Sequence, residues 1–212
     1  FTAAGSTATF TAQDLADPEA PARLVSFALD WSGHLDVLIN NAGANTFTGV
    51  LGTTLDQWDH ALNLDLRAAW LATAAAARVM EPGSAIVNVA SNHAVSTIPG
   101  AFPYNVAKAG MLALTQSSAL ELAPLGIRVN ALCPGYIDTP INDTYFGTFP
   151  DPAAERARVE AIHPSGRLGT VDEVAVAALF LASPACQFMT GSTLTLDGGR
   201  SALLQDPTKP ER

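Results

Sequence analysis

The sequence predicts an α/β fold, a parallel sheet with helices on both faces, and three features predict it. Short, continuously apolar runs recur along the chain; helical stretches separate them; glycine, proline and asparagine punctuate the junctions. Strands that alternate with helices build a parallel sheet, and a strand covered on both faces reads as an unbroken apolar run. The 212 residues suffice for one domain with a substantial core and are few for two.

The elements follow in order. "TATFTAQ" (7–13) alternates and is rich in threonine and phenylalanine, which predicts a strand. Pro18 opens a helix through Trp31, with Leu24, Phe27, Ala28 and Trp31 on one face and Gly33 just past its end. "LDVLI" (35–39) reads as a buried strand running into the tight turn "NNAG". A helix is expected from Thr54 to Met80, capped by Thr53 or Thr54, with Asp56 in its first turn and Pro82-Gly83 closing it. "AIVNVA" (85–90) is the next buried strand, and a loop spans 91–101. From Pro103 to Leu122 the apolar spacing is helical, ended by Pro124 and Gly126. "IRVNALC" (127–133) is a strand stopped by Pro134-Gly135. Residues 136–170 read as a long irregular insert of the lid or substrate-loop kind, with one helix around 152–162. Val171 to Ser183 is helical, "STLTL" (192–196) is the last strand, and 200–212 is a polar tail. There are no repeats, and residues 1–212 read as a single domain.

Composition excludes several functions. Hydrophobic residues make up 48% and charged residues 15%, which suits a well-buried globular chain. A net charge of −9 with singly scattered lysines and arginines argues against nucleic acid and against an anionic membrane surface. The apolar stretch 68–77 is far too short to span a bilayer. No basic and apolar leader opens the sequence, and Cys133 and Cys186 cannot build a disulfide framework, so a reducing cytoplasm is expected. His34, His60 and His163 lack the spacing of a metal site, so no metal is expected and all three are placed on the surface. Cys133 reads as a small buried hydrophobe, Asn88 as structural, and Trp58 and Trp70 as core or subunit contacts.

One segment carries chemistry. In "SNHAVSTIPGAFPYNVAK" (91–108), Ser91 precedes Tyr104 by thirteen positions and Lys108 follows by four. Tyr104 and Lys108 at i and i+4 share a helix face. A free phenol titrates near ~10, and a neighbouring ammonium lowers that value, so the pair can act as general acid or base. Ser91, just past strand 85–90, can hydrogen-bond the oxygen that Tyr104 protonates. In an open α/β sheet ligands bind beyond the carboxyl ends of the strands, where Asn41, Gly43, Ser91 and Pro134-Gly135 all fall. His93, two residues beyond Ser91, is a candidate for contact with a hydroxylated substrate.

"QDLAD" (13–17), "DVLINNAG" (36–43), Asn63 in "NLDLRAAW", Ser91, "YNVAK" (104–108), "VNALCPGYIDTP" (129–140) and "LTLDGG" (194–199) stand in one order along the chain. Together they resemble the short-chain dehydrogenase/reductase family, over about residues 5–200. The resemblance implies a Rossmann-like doubly wound sheet lacking its first two strands. It also implies that a glycine-rich phosphate loop, with its strand and helix, should stand ahead of Phe1; this sequence does not contain it. Ser91, Tyr104 and Lys108 match the family's catalytic triad, and Asn63 the asparagine that completes a tetrad. Asp14 and Leu15 match the pair beside the adenine; Asn40, Ala42 and Gly43 the turn near the ribose; Pro134, Gly135, Ile137 and Thr139 the segment facing the nicotinamide. Tyr104 would be the acid/base, and Lys108 would lower its pKa and hold the ribose. The implied activity is NAD(P)-dependent interconversion of a secondary alcohol and a carbonyl, with the preference between NAD and NADP left open. A sugar or polyol is the first substrate class, a 3-oxoacyl thioester the alternative, and a non-catalytic fragment lacking the cofactor loop the third possibility. A homo-oligomer, dimer or tetramer, is expected through the helices near 54–80 and 103–122, on Ala68, Ala69, Ala72 and Ala75 and on Met111, Leu112, Leu114 and Ala119.

Overall fold

The computed structural model describes residues 7–203. Strands β1 (Val37–Asn40), β2 (Ala85–Val89), β3 (Arg128–Pro134) and β4 (Thr193–Leu196) form one four-stranded sheet in that order. Every neighbouring pair is parallel, with Ile86 opposite both Leu38 and Val129. This is the order the sequence predicts.

The helices are α1 (Ala20–Ser32), α2 (Leu55–Leu62), α3 (Ala68–Ala77), α4 (Tyr104–Leu122), α5 (Pro140–Phe146), α6 (Pro152–Ala161) and α7 (Val171–Ala182). Their boundaries have local causes. Gly33, with φ 77°, closes α1 through its N–H on the Leu29 carbonyl, a conformation that costs a residue without Cβ little. Thr54 and Gln57 form a reciprocal capping box at the start of α2. The single helix expected over 54–80 is interrupted by one wider π turn, Asn63–Arg67, between α2 and α3.

Side chains alternate across the sheet with period two. Ile86 and Val129 pack on one face with Val25 of α1, Ala76 of α3 and Ala119 of α4. Val87 and Leu132 pack on the other face with Ala178 and Leu181 of α7. The two central strands are buried, whereas the edges β1 and β4 are half exposed.

Residues 7–13 alternate as a strand would, but the neighbouring strand of the family's sheet is not in this sequence, so they are expected either to sit out of the sheet or to slide beside 35–39. They run outside it, with Phe10 85% exposed. Residues 136–170 are more ordered than predicted. They hold α5 as well as α6, and a short parallel bridge joins Ile137 to Gly169. The seven residues of α5, "PINDTYF", are too few to show helical periodicity, so only Pro140 at its start marked it. Of the polar tail 200–212, Arg200–Ala202 form a single 3-10 turn and 204–212 lie outside the described residues. No helix among the described residues is long and apolar enough to cross a membrane.

Candidate active site

Ser91, Tyr104 and Lys108 converge at the carboxyl end of β2. Ser91 is extended and caps the short turn Asn92–Ala94, its hydroxyl accepting from the His93 N–H at 3.1 Å. Tyr104 opens α4, and Lys108 lies one turn along it. The Ser91 hydroxyl lies near enough to the Tyr104 phenol to favour its ionised form. Lys108 Nζ donates to the Val89 carbonyl at 3.3 Å, lies 3.4 Å from Asp65 Oδ1, and stands 5.5 Å from the centre of the Tyr104 ring.

The electrostatics of the phenol differ from the sequence reading. Burial pushes Tyr104 up to about 12; the Ser91 hydroxyl opposes this, while the charges on Asp65 and Cys133 add to it. The expected lowering by Lys108 does not dominate, because desolvation is the larger effect and the ammonium faces Asp65. At neutral pH Tyr104 therefore carries its proton and is equipped as an acid. Burial lowers the Lys108 pKa and raises that of Asp65, and each charge partly restores the other. Burial also holds the Cys133 thiol at about 11, so it is the small buried hydrophobe expected and no nucleophile. His93 is kept neutral by burial, its Nδ1 3.0 Å from Thr97 Oγ1. Its ring and that of Phe47 stand 6.0 and 5.3 Å from the Tyr104 ring and 5.6 Å from each other, a three-ring cluster at the start of α4.

The remaining predicted residues sort by position. Asn63 begins the π turn, beside the triad's helix face. Asn40 turns its amide inward, donating to Asn88 Oδ1 at 2.8 Å and Thr73 Oγ1 at 3.3 Å, so its side chain joins β1 to β2 and α3. A Cβ on Gly43 would overlap the Asp65 carboxylate and sit 3.2 Å from Lys108 Nζ, so only glycine fits that turn. Ala42 and Leu15 line an apolar cavity of about 150 Å³ with Leu24, Leu38, Leu64 and Ala68. Asp14 Oδ1 accepts from Ala16 N–H at 2.9 Å, and Arg67 grips the Ala16 carbonyl at 2.6 Å, which pins the 14–17 turn to the π turn. Pro134 and Gly135 end β3, with the Gly135 N–H on the Leu196 carbonyl. Ile137 and Thr139 lead into α5, and the Asp138 carboxylate there takes a bidentate grip from Arg156 of α6 at 2.9 and 2.6 Å.

Sequence reasoning missed Asp65, Phe47 and Asp197. The signal for Asp65 was present: it stands at i+4 from Ala61 and i−4 from Ala69, both buried, so an acid occupies the core stripe of that helix. Asp197 accepts from the Ser201 and Gly199 N–H groups at 2.7 and 3.1 Å and from the Asn92 amide, next to Ser91. Phe47 reaches the site because its loop bridges Pro103, a pairing across more than fifty residues that has no local sequence mark. His34 and His60 are exposed as expected, but His163 is not. It is 3% exposed under Tyr136, its Nδ1 on the Val159 carbonyl at 2.7 Å, because α6 turns that side chain into the insert's own core.

The comparisons with known proteins meet this geometry. Residues 1–201 match a family model described as enoyl-(acyl carrier protein) reductase. L-rhamnose 1-dehydrogenase (NAD(P)(+)) of Azotobacter vinelandii is 38% identical over 206 residues, covering 95% of this chain and 78% of that protein. Human dehydrogenase/reductase SDR family member 4 is 37% identical over 185 residues, 86% of this chain and 65% of its own length. The chain belongs to the short-chain dehydrogenase/reductase family. Among solved structures, ligand-free aldohexose dehydrogenase of Thermoplasma acidophilum superposes with a TM-score of 0.86 at 29% identity. It covers 96% of this chain and 83% of that one. A short-chain dehydrogenase/reductase of Burkholderia xenovorans superposes at 0.91 with 35% identity, over 96% of this chain and 79% of its own.

As a member of that family the protein is an NAD(P)-dependent oxidoreductase. Lys108 has three protons to donate. One goes to the Val89 carbonyl, one faces Asp65, and the third is the one that would meet a hydroxyl of a bound ribose. Gly43 leaves the backbone open beside that ammonium, and the apolar cavity at Leu15 and Ala42 can take a flat ring.

Proposed function

We propose that the protein interconverts a secondary alcohol and a carbonyl on a small hydroxylated molecule, a sugar or polyol, with Tyr104 as acid/base. The observation that carries the reading is the aromatic cluster at the phenol: Phe47 and neutral His93 pack against each other with ring centres 5.6 Å apart, and both pack against the Tyr104 ring. Phe47 offers an apolar ring to the C–H face of a sugar. His93, with Nδ1 on Thr97, keeps Nε2 for a substrate hydroxyl. Two relatives named for sugars, the L-rhamnose and aldohexose dehydrogenases, support the same class.

The bound nicotinamide supplies or accepts the hydride. This chain's residues do the rest. Ser91 donates to the carbonyl oxygen and orients it, and Tyr104, protonated at neutral pH, delivers the proton to that oxygen as negative charge develops. Lys108 holds the ribose and supplies positive charge below the phenol ring. Asn63, at the π turn, supports a water that returns a proton to the pair. In the oxidative direction Tyr104 must first lose its proton, so that rate rises with pH while the reductive rate stays flat across neutrality.

The test is Tyr104→Phe in the natural gene product, assayed with both cofactors against sugars, polyols and 3-oxoacyl thioesters. The expected result is turnover of a sugar or polyol that falls ~100- to 10,000-fold in the variant, with cofactor binding retained. Near-wild-type turnover in Tyr104→Phe would overturn the acid/base role. Faster turnover of the thioesters would transfer the protein to the alternative class, and no turnover of any substrate would favour the non-catalytic reading.

A homo-oligomer built on α2–α3 and α4 belongs to the same proposal. Ala68, Ala69, Met111 and Ala119 are covered within one chain, but Trp70 and Leu120 on those helices remain 53% and 79% exposed. Light scattering of the natural gene product should give a dimer or tetramer, and monomers alone would refute it.

A further inference from the structure

We propose that Asp65 is a positioning residue for catalysis: its buried carboxylate is the counter-ion that keeps the Lys108 ammonium charged and aimed at the ribose and phenol. The proposal rests on the reading of Tyr104 and Lys108 as the working pair, and extends it to a residue outside the triad and tetrad.

The geometry is specific. The side chains of Asp65 and Lys108 are 0% and 4% exposed and meet at 3.4 Å. Asp65 Oδ1 also accepts the Ala44 N–H at 3.1 Å, so one oxygen ties the ammonium to the turn after β1. Asp65 Oδ2 has no hydrogen-bond partner among the described residues. The π turn is what sets this oxygen there, since the wider turn covers Asn63–Arg67 and Asp65 is its middle residue. The close fit is mutual, because Gly43 has no room for a Cβ beside the same oxygen.

Stability does not explain the pair. A buried ion pair gains little or nothing over apolar groups of the same volume, and an acid with an unpartnered oxygen gains less. The stripe around Asp65 is alanine, at 61, 68 and 69, and would accept an apolar residue. What the carboxylate does supply is charge. The other groups facing Lys108 are the Val89 carbonyl from β2, the Tyr104 ring on its own helix and the Cys133 thiol from β3. His60 of α2 acts on Asp65 from within the same stretch of chain. Only Asp65 among the groups facing Lys108 is a carboxyl group that can set a full negative charge against the ammonium. A cation desolvated to this degree loses its proton readily without one. Asp65 also raises the phenol's pKa, so the same carboxylate that keeps Lys108 charged keeps Tyr104 protonated.

The experiment follows the Lys108 Cε signal by NMR through a pH titration of the cofactor-free natural gene product, ¹³C-labelled at lysine and assigned with Lys108→Arg. In Asp65→Asn, which keeps the acceptor for Ala44 but not the charge, the Lys108 midpoint should fall by about one to three pH units. Asp65→Glu should recover most of that shift. The alkaline loss of kcat, where Lys108 gives up its proton, should move down by the same amount. An unchanged midpoint in Asp65→Asn, or a loss of activity uniform across pH, would overturn the proposal and leave Asp65 a packing residue. Should Asp65→Asn not fold, the wild-type protein decides: its Lys108 signal must step again where the Asp65 carboxyl titrates, and the lack of that step overturns the proposal. The NMR midpoints do not depend on turnover, so they stand apart from the fate of the Tyr104→Phe test.

Discussion

The end of the sheet where ligands bind has an interior half and an edge half. In the interior half, β2, β3 and the first turns of α4 are sealed: Val87, Val129, Leu132 and Cys133 are all 0% exposed. Ser91 and Lys108 emerge from that packing with almost no exposed surface of their own. In the edge half, β1 and residues 7–19 carry the positions matched to the adenine and ribose, and Ile39 and Phe10 are 46% and 85% exposed. Proton chemistry tolerates little error, because acid and acceptor must meet within hydrogen-bond distance. A dinucleotide spreads its contacts over many groups and tolerates more. The difference teaches where each kind of substitution should act: interior changes should reach stability and turnover, edge changes only cofactor affinity.

The strongest way to break this comparison is at Asn88. Its amide donates to Thr115 Oγ1 at 2.9 Å and accepts from Asn40 at 2.8 Å, and Thr115 passes the chain on to the Met111 carbonyl at 2.8 Å. This buried relay joins β1, β2 and α4 under the active site. Asn88→Leu removes both bonds at once and leaves the Asn40 amide only its longer contacts, to Thr73 Oγ1 at 3.3 Å and the Ala69 carbonyl at 3.5 Å. Two lost bonds at about 0.5–1.5 kcal/mol each mean that the variant should lose about 1–3 kcal/mol in chemical denaturation. Stability equal to wild type would show that the interior half is not held by this relay.

That relay also shows what was legible in the sequence. Asn88 inside an apolar strand was readable as structural, because a buried amide needs partners; which partners it takes was not. The four strands, their order and the convergence of Ser91, Tyr104 and Lys108 at one strand end were legible because a strand end, an i, i+4 pair and a turn are local features. Asp65 and Phe47 were not read as site residues. Asp65 stood in a buried stripe with Ala61 and Ala69, but its pairing with Lys108 on another helix leaves no local mark, and Phe47 arrives through a loop crossing from β1 to Pro103. The strand-like alternation at 7–13 stays outside the sheet for the complementary reason. Its alternation is a property of the segment, but a strand exists only with a neighbour. The insert 136–170 hid its order in ion pairs such as Arg156 with Asp138 and Arg158 with Glu155, which leave no periodic mark.

The smallest effect sharpens the comparison from the edge side. Arg67 reaches from the π turn to the Ala16 carbonyl at 2.6 Å and ties the 14–17 turn to the body of the protein, where Arg23 of α1 also holds Asp17 at 2.6 Å. Arg67→Lys keeps the charge but shortens the reach and loses the planar fork. Losing one such bond is worth about 0.5–1.5 kcal/mol, so the cofactor's KM should rise ~2- to 10-fold. The interior half makes no contact with that bond, so kcat should stay near wild type and the denaturation midpoint should move little. The measurement is a pair of titrations, cofactor and substrate, on the natural gene product and the variant. A fall in kcat with unchanged cofactor KM would show that the edge feeds directly into the proton chemistry, and the division between the two halves would be wrong. A rise in cofactor KM alone would place Asp14 and Leu15 in the cofactor site by their effect.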